Sequence, residues 1–146
     1  MEIIFPTDTG TVITAIRDAI GRDVTFYIVA SSTACSTCDL EPITNASTDS
    51  FCTECNGTYW IPVYSGMDVN SHIAWGKSDQ MRWESGGQWW EGSAGVQIAR
   101  NDENISTVEN AVYLVVDGKE MEIRKILHRG VPELNRILID VIEKAK

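Results

Sequence analysis

Apolar and polar positions follow two rhythms along this chain, and the change of rhythm marks its elements. Ile3-Ile4-Phe5 forms an opening apolar patch that Pro6 halts. Over Thr11–Ile20, the residues Val12, Ile13, Ile16, Ala19 and Ile20 fall on one stripe of a 3.6-residue period, which predicts a helix. Asp8, Thr9 and Thr11 are suitable N-caps, and Gly21 supplies the stop. β-branched residues lower the intrinsic helicity, so this helix needs a partner surface. Val24–Ala30 reads as a strand, with Val24, Phe26 and Ile28 alternating against Thr25, Tyr27 and Val29 and both faces largely buried.

Periodicity is then lost over residues 31–62 and resumes at Trp60-Ile61 and Val63-Tyr64. Val69–Trp75 predicts a short strand with Ile73 and Trp75 on one face. Gly76–Gly92 reads as a long loop, and long loops in compact domains usually carry function. Gly95–Arg100 predicts a strand with Val96 and Ile98 inward, and the acidic stretch Asn101–Asn110 reads as a loop. Asp117-Gly118 is the preferred dipeptide of a type I′ turn. It separates apolar Ala111–Val116 from Lys119–Leu127, where Met121, Ile123 and Leu127 face one way and Glu120, Glu122 and Arg124 the other: a β-hairpin. Arg129-Gly130 turns the chain, and β-branched Ile137, Ile139 and Val141 at period two favour a strand over Asn135–Ile142.

The aperiodic stretch holds all four cysteines and no Lys or Arg. Cys35, Cys38, Cys52 and Cys55 have the spacing C-x2-C-x13-C-x2-C, close to a zinc ribbon. Two residues between cysteines let a tight turn aim both sulfurs at one point, and two such turns complete a tetrahedral four-sulfur site suited to Zn2+. Gly57 follows the second pair, where the backbone needs freedom. Two disulfides or four free thiols are the alternatives. Met1 to Gly10 has no basic or apolar leader character, so the expected compartment is reducing and disfavours disulfides. A thioredoxin-like frame for a redox C-x-x-C is absent. Four thiolates leave a metal no open position, so the expected role is structural. The division is therefore a body over 1–30 and 63–146, with a zinc-ribbon insertion over 31–62.

Length and composition set the wider bounds. One main domain fits 146 residues, and 43% hydrophobic with 23% charged content fits a folded chain. No apolar run reaches the roughly 18–20 residues of a membrane span, so no membrane partner is expected. A net charge of -9 disfavours a grip on nucleic acid. Asp39, Glu41, Asp49 and Glu54 make the ribbon itself phosphate-repelling. Residues 1–118 carry 5 basic and 16 acidic side chains, whereas 119–146 carry 7 and 5. Opposite ends of neighbouring copies can attract, or the last segments simply carry solvated Lys and Arg. Asn45, Asn56 and Asn104 open glycosylation tripeptides that read as chance matches without secretion.

No phosphate loop, nucleophile elbow or H-E-x-x-H motif occurs, so no enzyme is expected and no catalytic residue is assigned. Asp102, Glu103 and Glu109 read as a solvated acidic loop, and His72 and His128 as ordinary histidines. Of the five tryptophans, Trp60 and Trp75 are expected to pack, while Trp83, Trp89 and Trp90 are divided between packing and a protein interface.

The order of elements, the hairpin "AVYLVVDGKEMEIRKI" and the closing "GVPELNRILIDVIE" resemble the head-closure or stopper neck proteins of tailed bacteriophages. The resemblance covers roughly 10–30 and 66–146, and the cysteine block departs from the plain barrel. It implies a mainly β fold: a small β-barrel with a short N-terminal helix, here carrying the inserted four-cysteine zinc ribbon. It also implies a virion protein assembled in the host cytoplasm as a homo-oligomeric ring. That ring would join portal and adaptor to tail proteins, retain packaged DNA and let DNA pass without specific binding. A monomeric zinc-ribbon adaptor that regulates another protein, such as a transcription factor, is the alternative.

Overall fold

The structure is a computed structural model, described here for residues 9–76, 93–130 and 133–144. It is mainly β. The chain divides into a larger unit, Met1–Tyr27 with Gly66–Lys146, and a smaller unit, Ile28–Ser65.

The larger unit opens with helix α1 (Thr9–Ile20). Gly21 ends it by donating to the Arg17 carbonyl at 2.6 Å, and a Cβ at Gly21 would meet that same oxygen. The helix is inverted in character. Arg17 is buried, while Val12, Ile16 and Ile20 are 50%, 52% and 61% exposed. Nothing among the described residues covers the apolar stripe.

Strand β1 (Arg22–Ala34) follows. Val24 and Phe26 are fully buried, but Val29 on the other face is 49% exposed, so only one face is buried rather than both. Tyr27 covers part of the outer face by stacking on Tyr113 at 4.7 Å. Strands β2 (Leu40–Glu41) and β3 (Ala46–Ser47) form a two-stranded sheet in the smaller unit. Strand β4 (Trp60–Trp75) is far longer than Val69–Trp75 alone. Pro62, Gly66 and mixed polarity hide its first half from pattern reading, and those residues are mostly exposed.

Strand β5 (Ser93–Ala99) alternates strictly, burying Ala94, Val96 and Ile98. The stretch after it is a helix, α2 (Asp102–Asn110), which corrects the expected loop. Asn101 is the reason. Its side chain accepts from the Asn104 N–H at 2.7 Å, satisfying one of the helix's free donors. Asp102 and Glu103 then sit in the first turn, where negative charge is favoured, and Thr107 and Val108 seal the buried face.

Strands β6 (Ala111–Val116) and β7 (Lys119–Arg129) form the expected hairpin, with Val116 opposite Lys119. Asp117 and Gly118 have φ of 51° and 78°, as a type I′ turn requires. The alternation expected for Lys119–Leu127 holds only as far as Ile123. A register shift between Ile123 and Lys125 leaves Arg124 as an extra residue. Leu127 is therefore opposite Leu138, on the face away from Ile123. Strand β8 (Arg136–Glu143) closes the chain as expected, pairing with both β5 and β7.

The hydrogen-bonded strand order is β1-β4-β5-β8-β7-β6. The core of the larger unit is mainly apolar, with Ser71, Thr107 and Arg17 as its buried polar members. Phe26, Val96, Ile98, Leu114, Met121 and Ile139 are all fully buried, and Val108 of α2 joins them. No described helix is long and apolar enough to cross a membrane.

Candidate metal centre

The smaller unit gathers its four cysteines at one point. β1 delivers Cys35 just past its end, where the Cys35 N–H donates to the Tyr59 carbonyl at 2.8 Å. The β2–β3 ladder, with Leu40 opposite Ser47, returns the chain toward the second pair. Asn56, Gly57 and Tyr59 all have positive φ, so the chain curls tightly just after Cys55. Gly57 is required there. A Cβ would lie 2.8 Å from the Ser50 carbonyl oxygen, and its φ is 79°.

All four sulfurs lie within 4.8 Å of one another, an arrangement able to hold a metal ion. Cys35 Sγ is 3.7 Å from Cys52 Sγ, and Cys38 Sγ is 3.5 Å from Cys55 Sγ. All four cysteines are free. Cys35, Cys52 and Cys55 are buried and Cys38 is half-buried, with Tyr59 and Ile61 packed alongside.

The surroundings are built to carry negative charge on sulfur. The Thr37 hydroxyl, followed by backbone N–H groups of Cys55 and Glu54, lowers the Cys52 thiol to about 6. Burial pushes Cys55 up, but backbone N–H groups of Tyr59 and Gly57 and the Cys38 thiol bring it below the ordinary value. Cys38 goes the other way. The Ser47 hydroxyl draws it down, but burial and the three neighbouring cysteines together raise it to about 12. A thiolate at Cys38 is therefore the hardest of the cluster to form without a nearby cation. Glu54 adds a carboxylate, 3.5 Å from Cys35 Sγ and held by the Ser36 hydroxyl at 3.2 Å. Hydrogen bonds from Thr37 and then Cys35 lower its pKa.

The other residues singled out in the sequence lie elsewhere. His72 of β4 is opposite Gln97, and His128 of β7 is opposite Ile137, both in the larger unit. Asp102 and Glu103 belong to the first turn of α2. Trp75 packs against the core, and its Nε1 donates to Asp117 at 2.9 Å. Trp60 is 38% exposed and meets Tyr59 edge-on, so it is a surface residue rather than a packed one. Trp83, Trp89 and Trp90, with most of the Gly76–Gly92 loop, lie outside the described residues. Pattern reading missed the exposed Ile43 and Phe51 beside the cysteines, each 91% exposed. Isolated apolar residues in a polar stretch give no periodic signal.

Among known proteins, no family model, no curated protein and no solved structure matches this chain.

Proposed function

We propose that this chain is a structural protein of a tailed-phage neck: a ring-forming connector that joins head to tail and helps retain packaged DNA. The observation that carries this reading is the uncovered stripe Val12–Ile16–Ile20 on α1. A helix of low intrinsic propensity with its apolar side outward is stabilised when a neighbouring copy covers that side. Closure of the sheet into a small barrel belongs to the same reading. Its support is the ring-wise strand order and the Tyr27–Tyr113 stack between the first and last strands of that order. The acidic balance suits a wall past which DNA moves without sticking. The chain then works by assembly, with no catalytic step, and resides in the virion.

The cysteine cluster in this reading holds a structural Zn2+. A tetrahedron with Zn–S of about 2.3 Å has S···S edges of about 3.8 Å. Two edges of the cysteine cluster, at 3.7 and 3.5 Å, lie close to that value, and all the sulfurs are within 4.8 Å of one another. Bound there, Zn2+ would cross-link the smaller unit, with Cys35, Cys38, Cys52 and Cys55 filling all four positions.

Electron microscopy and sedimentation of the metal-loaded protein test the connector. Rings, or incorporation into particles, are expected, and Ile16→Asp should reduce the protein to monomers without unfolding it. A monomer at every concentration that also enters no particle overturns the reading. Exposed Ile43 and Phe51 favour a second reading, a monomeric zinc-ribbon adaptor that docks on another protein. It predicts a monomer that captures one enzyme and loses it on Phe51→Asp.

A further inference from the structure

The two units present different charge to solvent. The smaller one, Ile28–Ser65, holds four acids, Asp39, Glu41, Asp49 and Glu54, and no Lys or Arg. Two of these acids stand beside its most exposed apolar side chains. The Phe51 N–H donates to Asp49 Oδ1 at 3.0 Å, and Phe51 is 91% exposed. The Asn45 N–H donates to the Glu41 carbonyl at 2.9 Å, closing a turn that carries Ile43, also 91% exposed. Exposed aromatic side chains are the usual anchors of protein interfaces.

The larger unit carries the complement. Arg124, Lys125 and Arg129 lie within six consecutive residues of β7 that contain no acid, and all three are exposed. Lys125 is opposite Asp140 and Arg129 is opposite Arg136, so the neighbouring strand leaves the run positive. Here too charge stands beside apolar surface. Ile126, next to Lys125, is 36% exposed. The Asn135 N–H donates to the Arg129 carbonyl at 2.9 Å, which holds Leu134, 50% exposed, next to that end of the strand. Two smaller units brought face to face repel, and so do two of these β7 runs. A smaller unit against β7 attracts. The favourable contact therefore joins different surfaces of two copies, the heterologous type that closes rings.

We infer that the acidic face of the smaller unit, with Glu41, Ile43, Asp49 and Phe51, docks on the basic run Lys125–Arg129 of a second copy. Phe51 and Ile43 then meet Ile126 and Leu134, and the acids meet Lys125 and Arg129. Closure of this contact into a ring rests on the connector reading. The contact is additional to the α1 stripe and differs from it in being screened by salt. Exposed ion pairs are weak singly, so it strengthens assembly rather than holding two copies alone.

The test uses the full-length, metal-loaded chain, mixed from heavy-isotope-labelled and unlabelled copies. A zero-length carbodiimide joins a lysine amine to a carboxylate in contact with it. Mass spectrometry should find Lys125 joined to Asp39, Glu41 or Asp49 in products that pair a labelled with an unlabelled peptide. Lys125→Gln with Arg129→Gln should raise the concentration needed for assembly about tenfold in sedimentation. Phe51→Ser should act likewise, and all three changes together should cost little more than either set, because both sets remove one contact. Added salt should weaken assembly of the parent chain more than that of the β7 variant. The inference is overturned by assemblies in which Lys125 joins only other acids of the neighbour, by undiminished assembly of the β7 variant, or by effects that add in full. A short DNA duplex that binds the β7 run in preference to a second copy overturns it too. Those outcomes leave the α1 contact and the connector standing, whereas a chain that is monomeric at every concentration overturns both.

Discussion

The two units of this chain are held by different physics. The larger one buries a continuous set of aliphatic and aromatic side chains, from Val24 and Phe26 to Ile139 and Val141. The smaller one, Ile28–Ser65, buries Cys35, Cys52, Cys55 and Ser47, while its Ile43 and Phe51 stand in solvent. Below about 40 residues a hydrophobic core rarely suffices, and a metal or disulfide takes its place. One unit is stabilised by area removed from water. The other buries little apolar area beyond its cysteines, which are placed so that they could hold a metal ion.

The largest expected effect separates them outright. Chelation of the metal, or Cys52→Ser, should unfold the smaller unit while β5 and β8 of the larger keep their dispersed amide signals. Loss of both sets of signals together would show that the units share one source of stability. In the other direction, Ile139→Ala empties part of the larger core and should cost about 2–5 kcal/mol in denaturant unfolding. Metal content per folded chain should stay unchanged. A smaller effect is expected at Asn101→Ala, which removes the α2 cap and should cost about 1 kcal/mol, read as a lowered midpoint. The smallest is Glu54→Gln. It removes a carboxylate 3.5 Å from Cys35 Sγ and should tighten metal retention modestly in a competition titration, because thiolate and carboxylate repel once the metal is bound.

How far the sequence could be read follows the same division. The hairpin was legible because Asp117-Gly118 demands a specific backbone, and β8 because Ile137, Ile139 and Val141 repeat at period two. The C-x2-C pairs were legible because metal-type spacing is written locally, and the four sulfurs do converge. The misses have physical reasons too. α2 offers only Ile105 and Val108 as apolar residues, so its signal lay in the Asn101 cap and the acidic first turn rather than in periodicity. The bulge at Arg124 left no mark, since apolar Ile126 and Leu127 are adjacent and either one continues the alternation. The burial of Arg17 inverts the expected helix and could not be read from a stripe that looks conventional.

Asp117 does more than turn the chain. Its Oδ2 also receives Arg22 Nη2 and Trp75 Nε1, each at 2.9 Å, from β1 and β4. A turn made by neighbours in sequence is thereby joined to a partner almost a hundred residues upstream. Local hairpins close in roughly microseconds, whereas contacts of such separation come late and slow the whole reaction. On the ribosome, Arg22 must wait for Asp117 to emerge. This contact is completed after the hairpin, so Asp117→Asn should leave the refolding rate nearly unchanged and speed unfolding, both read in stopped-flow.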